Sequence, residues 1–207
     1  MHSHTNILER GQPIDKASKA LIMLHGRGSS ASNILGLADR LDAEDFYIVA
    51  PQATNSSWYP YSFMAEDSTN EPWLTSAVET IKKLIDETSL RIPKSQIYVL
   101  GFSQGACLAL EISSRYAEKY GGIVAFSGGL IGKSLNETKY KGNFQGTKVF
   151  IGNSDIDPHI PLERSKQSKD VMEKLGASAT LKVYEGMAHT VNQDEINWVN
   201  SNLLRTQ

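Results

Sequence analysis

Apolar residues fall into short, β-branched-rich runs at 20–24, 46–50, 97–100, 123–126, 149–151 and 181–184, each bounded by Gly, Pro, Asn or Asp. Runs this short, apolar at consecutive positions, predict strands buried on both faces. Between them the spacing changes to that of a helix. Leu74, Ala77, Val78, Ile81, Leu84 and Ile85 put six apolar side chains on one face of a helix that should end before Pro93. Further helices are predicted at 32–41, 104–120, 162–175 and 194–204. Strand and helix thus alternate along nearly the whole chain. That alternation predicts the α/β class, with a mostly parallel sheet, helices on both faces and functional loops at the carboxyl ends of the strands. Two connections are longer than packing requires. The 51–72 segment carries Trp58, Tyr59, Tyr61, Phe63 and Met64, so it either covers a site or tucks its rings into the core. The 127–146 segment is polar and rich in glycine.

Composition narrows the picture. A chain of 207 residues, 40% hydrophobic and 21% charged, can bury one good core but not two, so residues 1–207 are expected to form a single domain with its core at about 19–204. A formal charge of -2 supplies no basic field for nucleic acid or an anionic membrane, and a small molecule is the expected partner. Cys107 is the only cysteine, which excludes an internal disulfide, and no paired CxxC motifs offer a structural metal site. The amino terminus, MHSHTNILERG, lacks the apolar stretch of a signal peptide, and no segment approaches the ~20 apolar residues that cross a bilayer. The cytoplasm is therefore the expected address.

The strongest chemical signal is Gly101-Phe102-Ser103-Gln104-Gly105, a G-x-S-x-G motif between a predicted strand and a predicted helix. A serine on that sharp turn has its hydroxyl exposed, and the flanking glycines let strand and helix approach closely. The hydroxyl is a weak nucleophile unless a base takes its proton and a carboxylate orients that base. In chain order the carboxylate and the histidine should follow the serine, each on a loop after a strand. Asp155 and Asp157 follow the run at 149–151, and His189 follows the run at 181–184. Of the five histidines, His2 and His4 lie in the terminal tail and His25 precedes the serine, leaving His159 and His189. His189 is the expected base, His159 is expected to line the pocket, and Asp157 is preferred to Asp155 as the orienting acid. The developing oxyanion needs two donors, expected from the backbone N–H groups of Gln104 and of Arg27 in Leu24-His25-Gly26-Arg27-Gly28. The Arg27 side chain either is solvated or reads a substrate carboxylate. Gly132-Lys133-Ser134 resembles the end of a phosphate-binding loop but has no helix pattern after it, and is read as loop. Cys107, inside a predicted helix, reads as a small buried hydrophobe.

With these motifs in place the sequence resembles the phospholipase/carboxylesterase family of α/β-hydrolases, which includes acyl-protein thioesterases and small bacterial esterases. The marks are LHGRG at 24–28, APQ at 50–52, SWYP at 57–60, GFSQG at 101–105, FSGGL at 126–130, DPHIP at 157–161 and YEGMAH at 184–189. The resemblance implies Ser103 as nucleophile, Asp157 as acid, His189 as base, Arg27 and Gln104 as oxyanion donors, and Trp58 as an aromatic lining the substrate pocket. Arg27 and the DPHIP form look more like the bacterial esterase branch. Larger relatives often insert a helical cap where 127–146 stands, and this segment has no room for one. The expected reaction is hydrolysis of short- to medium-chain esters or thioesters through an acyl-enzyme, with no metal or organic cofactor. Two other readings keep the scaffold: a hydrolase of lactones or aromatic degradation products, and a small-molecule receptor. A homodimer through an exposed edge or helix is compatible with the sequence.

Overall fold

Each of the six apolar runs forms a strand, and one further strand precedes them. The computed structural model describes residues 1–3 and 5–205; His4, Thr206 and Gln207 lie outside the described residues. The strands are β1 (Ile7–Gly11), β2 (Lys19–Leu24), β3 (Phe46–Pro51), β4 (Ile97–Phe102), β5 (Gly122–Phe126), β6 (Lys148–Ser154) and β7 (Ser178–Tyr184). They form one sheet in the order β1-β3-β2-β4-β5-β6-β7. All neighbours are parallel except β1, which lies antiparallel on β3 with Ile7 opposite Pro51 and Gly11 opposite Tyr47. The hydrophobic pattern does not announce β1, because Ile7 alone is half-buried there and the other four positions of this edge strand are exposed.

The helices are α1 (Ala31–Gly36), α2 (Asp67–Asn70), α3 (Trp73–Ser89), α4 (Gln104–Arg115), α5 (Leu162–Lys174) and α6 (Gln193–Val199). Side chains alternate across a strand, so Ala20, Ile22 and Leu24 of β2 face the layer built by α3, α4 and α5. Leu21 and Met23 face the opposite layer, built by α1 and α6. With both faces covered, the central strands need no polar positions, which is why they read as unbroken apolar runs.

Three helices differ from their predicted extents, the one predicted at 194–204 being α-helical to Val199 and a π-helical turn over Asn200–Leu204. The 32–41 segment divides into α1, capped by the Ser30 hydroxyl accepting from the Asn33 N–H at 3.1 Å, and a 3-10 turn at Leu37–Arg40. The helix predicted at 104–120 stops at Arg115. Beyond it the Ala117 N–H donates to the Lys141 carbonyl and the Ala117 carbonyl accepts from the Asn143 N–H, both at 2.9 Å, and this non-local pairing overrides the helical spacing of 116–120.

The 127–146 loop carries one 3-10 turn, Glu137–Lys139, and no cap. It is pinned by two buried charged residues. Arg164 on α5 donates to the carbonyls of Leu130, Gly132 and Lys133 at 3.0, 2.6 and 3.0 Å. Glu111 on α4 accepts from the Ile131 N–H and the Tyr140 hydroxyl at 3.0 Å and pairs with Arg115 and Lys139. Lys133, of the Gly-Lys-Ser sequence, pairs with Glu66 on the surface. No helix among the described residues is long and apolar enough to cross a membrane.

Candidate active site

β4 ends at Phe102 and α4 begins at Gln104, leaving Ser103 alone between them at φ 55° and ψ -118°. A non-glycine residue in that region costs about 1–3 kcal/mol, so surrounding structure must impose it. Here the cause is close backbone packing. A β-carbon at position 101 would overlap the Gly105 carbonyl, and one at 105 would overlap the Leu24 carbonyl. The Ser103 N–H donates to the Phe126 carbonyl at 2.9 Å, and its own carbonyl accepts from the Cys107 N–H at 3.0 Å. The first bond ties the turn to the carboxyl end of the sheet, and the second joins it to the first turn of α4.

Three of the predicted residues meet at this turn. The Ser103 hydroxyl lies 2.8 Å from His189 Nε2, and His189 Nδ1 lies 2.7 Å from Asp157 Oδ2. An ionised carboxylate can only accept, so Nδ1 carries the proton and Nε2 is left to accept from the serine. Asp157 Oδ1 accepts from the N–H groups of His159 and Ile160 at 2.8 and 3.0 Å. Burial pushes the Asp157 pKa up, but the bonds from His189 and the two N–H groups outweigh it and hold the carboxyl below its usual range. Asp155, the competing acid, instead accepts from the Gly186 N–H at 2.8 Å and braces the loop that carries His189. The His189 ring packs 5.0 Å from Phe102 and 4.8 Å from His159, centroid to centroid.

The expected oxyanion donors flank the serine. Gln104 occupies the first position of α4, where the N–H has no intrahelical acceptor. The turn after β2 comes so close that a β-carbon on Gly26 would sit 3.5 Å from Ser103 Cβ. Among the described residues, no hydrogen bond uses the N–H of Arg27 or of Gln104. Beside the serine opens a cavity of about 460 Å³, lined by Arg27, Tyr59, Phe63, Phe102, His159 and Ile160 among others. His159 thus lies on the wall of this cavity. Among the described residues no group of three or more His, Cys, Asp or Glu is arranged to hold a metal ion.

Trp58 is a correction. Expected to line the pocket, it is wholly buried behind the wall, with its indole N–H donating to the His25 carbonyl at 2.9 Å. A buried indole needs an acceptor, and the core supplies one where the cavity does not. Tyr59 and Phe63 take the lining role instead. The aromatic richness of the loop signals a wall of rings, but nothing in its spacing tells which rings face in.

The other candidates also find definite places. The Arg27 guanidinium is exposed at the cavity edge and tied to the 57–61 turn. Its Nη1 donates to the Pro60 carbonyl at 2.7 Å and the Ser57 hydroxyl at 3.1 Å, its Nη2 donates to the Tyr61 carbonyl at 2.6 Å, and it lies 5.7 Å over the Tyr59 ring. His25 is buried, with Nδ1 donating to the Gly26 carbonyl at 2.7 Å and Nε2 accepting from the Ala53 N–H at 3.1 Å, and burial lowers its pKa against that first bond. His2 is no loose tail residue: its Nε2 donates to the Trp58 carbonyl at 2.8 Å while Nδ1 accepts from the Thr54 N–H at 3.1 Å. Burial pushes the Cys107 thiol up to about 12, so it stays protonated and unreactive.

Comparisons with known proteins identify the relatives of this chain. The family model described as Phospholipase/Carboxylesterase matches residues 6–206. Over 221 residues the chain is 31% identical to acyl-protein thioesterase 1 of Saccharomyces cerevisiae, covering 92% of this chain and 94% of the yeast protein. The crystal structure of a phospholipase/carboxylesterase from Dyadobacter fermentans superposes with a TM-score of 0.97 at 47% identity, over 99% of this chain and 98% of that one. The Bacillus cereus carboxylesterase, 20% identical with a TM-score of 0.76 over 94% of this chain and 91% of that one, shares the fold.

Proposed function

The chain belongs to the phospholipase/carboxylesterase family and is a serine hydrolase acting on esters, and from that premise we propose how its residues act: Ser103 is the nucleophile, His189 the base and Asp157 the acid that orients it. The observation that carries this reading is the hydrogen-bonded chain from the Ser103 hydroxyl through both nitrogens of His189 to Asp157. Ser103 Oγ attacks the substrate carbonyl while its proton passes to His189 Nε2, and Asp157 stabilises the imidazolium that forms. The oxygen that becomes negative is received by the N–H groups of Arg27 and Gln104, each worth about 10²–10³ in rate. His189 then gives the proton to the departing alcohol or thiol. In the second step it draws a proton from water, which attacks the acyl-enzyme and frees Ser103.

The substrate we assign is a short- to medium-chain carboxylic ester or thioester. The cavity of about 460 Å³ has no cap above it, and Tyr59, Phe63 and Ile160 place apolar side chains among its polar lining beside the serine. A reading in which Arg27 selects anionic lactones or aromatic acids is less well supported, since three acceptors on the 57–61 turn already engage the guanidinium. Action on small cytoplasmic esters belongs to the same proposal.

The test is hydrolysis of p-nitrophenyl esters from acetate to palmitate by the wild type and by Ser103→Ala. The expected outcome is an activity maximum at short to medium acyl chains and a loss of about 10⁴-fold or more in the variant. Unchanged activity in Ser103→Ala would overturn the nucleophile assignment. A maximum at palmitate would overturn the chain-length assignment alone.

A further inference from the structure

The two N–H groups assigned to the oxyanion sit on separate segments, Arg27 in the turn after β2 and Gln104 at the start of α4. Such donors are effective only if their separation is held before the reaction begins, because reorganising them during it would consume the stabilisation they supply. The side chains of these same two residues converge on one short turn, 57–61. From one side Arg27 grips Pro60, Tyr61 and Ser57 as described. From the other, the Gln104 side-chain amide accepts from the Trp58 N–H at 2.9 Å and donates to the Tyr59 carbonyl at 2.8 Å and the Ser57 hydroxyl at 3.4 Å. The Ser57 hydroxyl in turn donates to the Tyr59 carbonyl at 2.8 Å. Among the described residues Ser57 Oγ is thus the one atom that both side chains reach. A third tie, from the Gly28 N–H to the Ser56 carbonyl at 2.7 Å, holds the Arg27 turn against the same segment.

We propose that Ser57 is a positioning residue for ester hydrolysis, its hydroxyl joining the Arg27 and Gln104 side chains so that the 57–61 turn sets the distance between the two oxyanion N–H groups. The proposal rests on the reading of Arg27 and Gln104 as oxyanion donors. It gives the Arg27 side chain a role distinct from anion recognition, since Arg27 presents its N–H to the reaction and its guanidinium to the brace that holds that N–H in place. Ser57 touches no reacting atom and acts only through its two neighbours.

Ser57→Ala removes the shared hydroxyl, and Ser57→Thr keeps it. Both are compared with the wild type for kcat and KM on p-nitrophenyl butyrate, for inhibition by an alkyl trifluoromethyl ketone and for inhibition by butyrate. The ketone adds Ser103 and carries a negative oxygen in the adduct; butyrate reports on ground-state binding. Ser57→Ala is expected to lower kcat about tenfold, a fraction of the full loss of one donor. Its KM should stay within about twofold, its affinity for the ketone should fall by the same factor as kcat, and its affinity for butyrate should hold. Ser57→Thr is expected to recover most of kcat. Arg27→Ala, a change at an exposed side chain, should behave like Ser57→Ala, and the double variant should lose less than the product of the two because the contact is shared. A rise in KM at unchanged kcat would make the turn a wall only, and wild-type values in both single variants would remove the positioning role. An active Ser103→Ala control would signal failure of the underlying reading instead. Should Ser57→Ala fold poorly, judged by its melting temperature, Arg27→Ala carries the same test.

Discussion

The Ser103 elbow and the 57–61 turn face the same cavity, yet they are held by different forces. At the elbow, backbone touches backbone: strand β4, helix α4 and the end of β2 approach so closely that neither Gly101 nor Gly105 can carry a β-carbon. At the turn, side-chain hydrogen bonds from Arg27 and Gln104 do the holding. Steric exclusion has no graded form, whereas hydrogen bonds worth about 0.5–1.5 kcal/mol each can be lost singly and replaced. The backbone geometry around Ser103 is locked, whereas the turn that ties the Arg27 and Gln104 side chains together can lose its contacts one at a time.

The largest effect is expected at the carboxylate behind the elbow. Asp157→Asn should leave the fold intact but favour the wrong His189 tautomer, lowering kcat about 10⁴-fold, as steady-state kinetics would register. The same variant tests a pH effect. Because the folded pKa of Asp157 is depressed, its stabilisation is present above the unfolded value of about 3.9 and is lost as pH falls through the folded value. Urea unfolding of the wild type and Asp157→Asn should therefore converge below about pH 4, and a constant gap between them would contradict that assignment.

Next in size is Gly105→Ala. Its β-carbon meets the Leu24 carbonyl, so the sheet or the helix must move, and a loss of about 3 kcal/mol is expected from the urea midpoint. Near-wild-type stability would mean that the elbow is as adjustable as the wall.

The smallest effect is expected at the wall. The Tyr59 hydroxyl is buried against the Cys107 thiol with no nitrogen or oxygen partner among the described residues, and burial holds it protonated by raising its pKa well above the ordinary value. Tyr59→Phe removes a polar group that only a weak sulfur contact serves and whose burial costs about 1–3 kcal/mol. Its melting temperature should equal or exceed that of the wild type, and a clear fall would show that the hydroxyl has a structural role.

Much of this site is legible along the chain. The elbow is local: five consecutive residues, a strand before and a helix after are enough to mark Ser103, and the carboxylate and histidine follow on later strand ends in the order the fold requires. Six of the seven strands are legible for a similar reason, since burial on both faces leaves an unbroken apolar run. β1 escapes because an edge strand exposes most of its side chains.

Contacts between residues far apart in the chain are set by tertiary packing alone. Asp155 and Asp157 stand on the same loop, and only the closing of β6 on β7 brings Asp157 to His189 and Asp155 to Gly186. Trp58 and Tyr59 are neighbours, and which of them meets the cavity turns on the His25 carbonyl, 33 positions away, that satisfies the indole N–H. The fate of the Arg27 guanidinium likewise depends on carbonyls more than 30 residues further on. Periodicity and motif report what a residue's near neighbours require of it; a polar atom's partner is settled only when distant backbone arrives within about 3 Å.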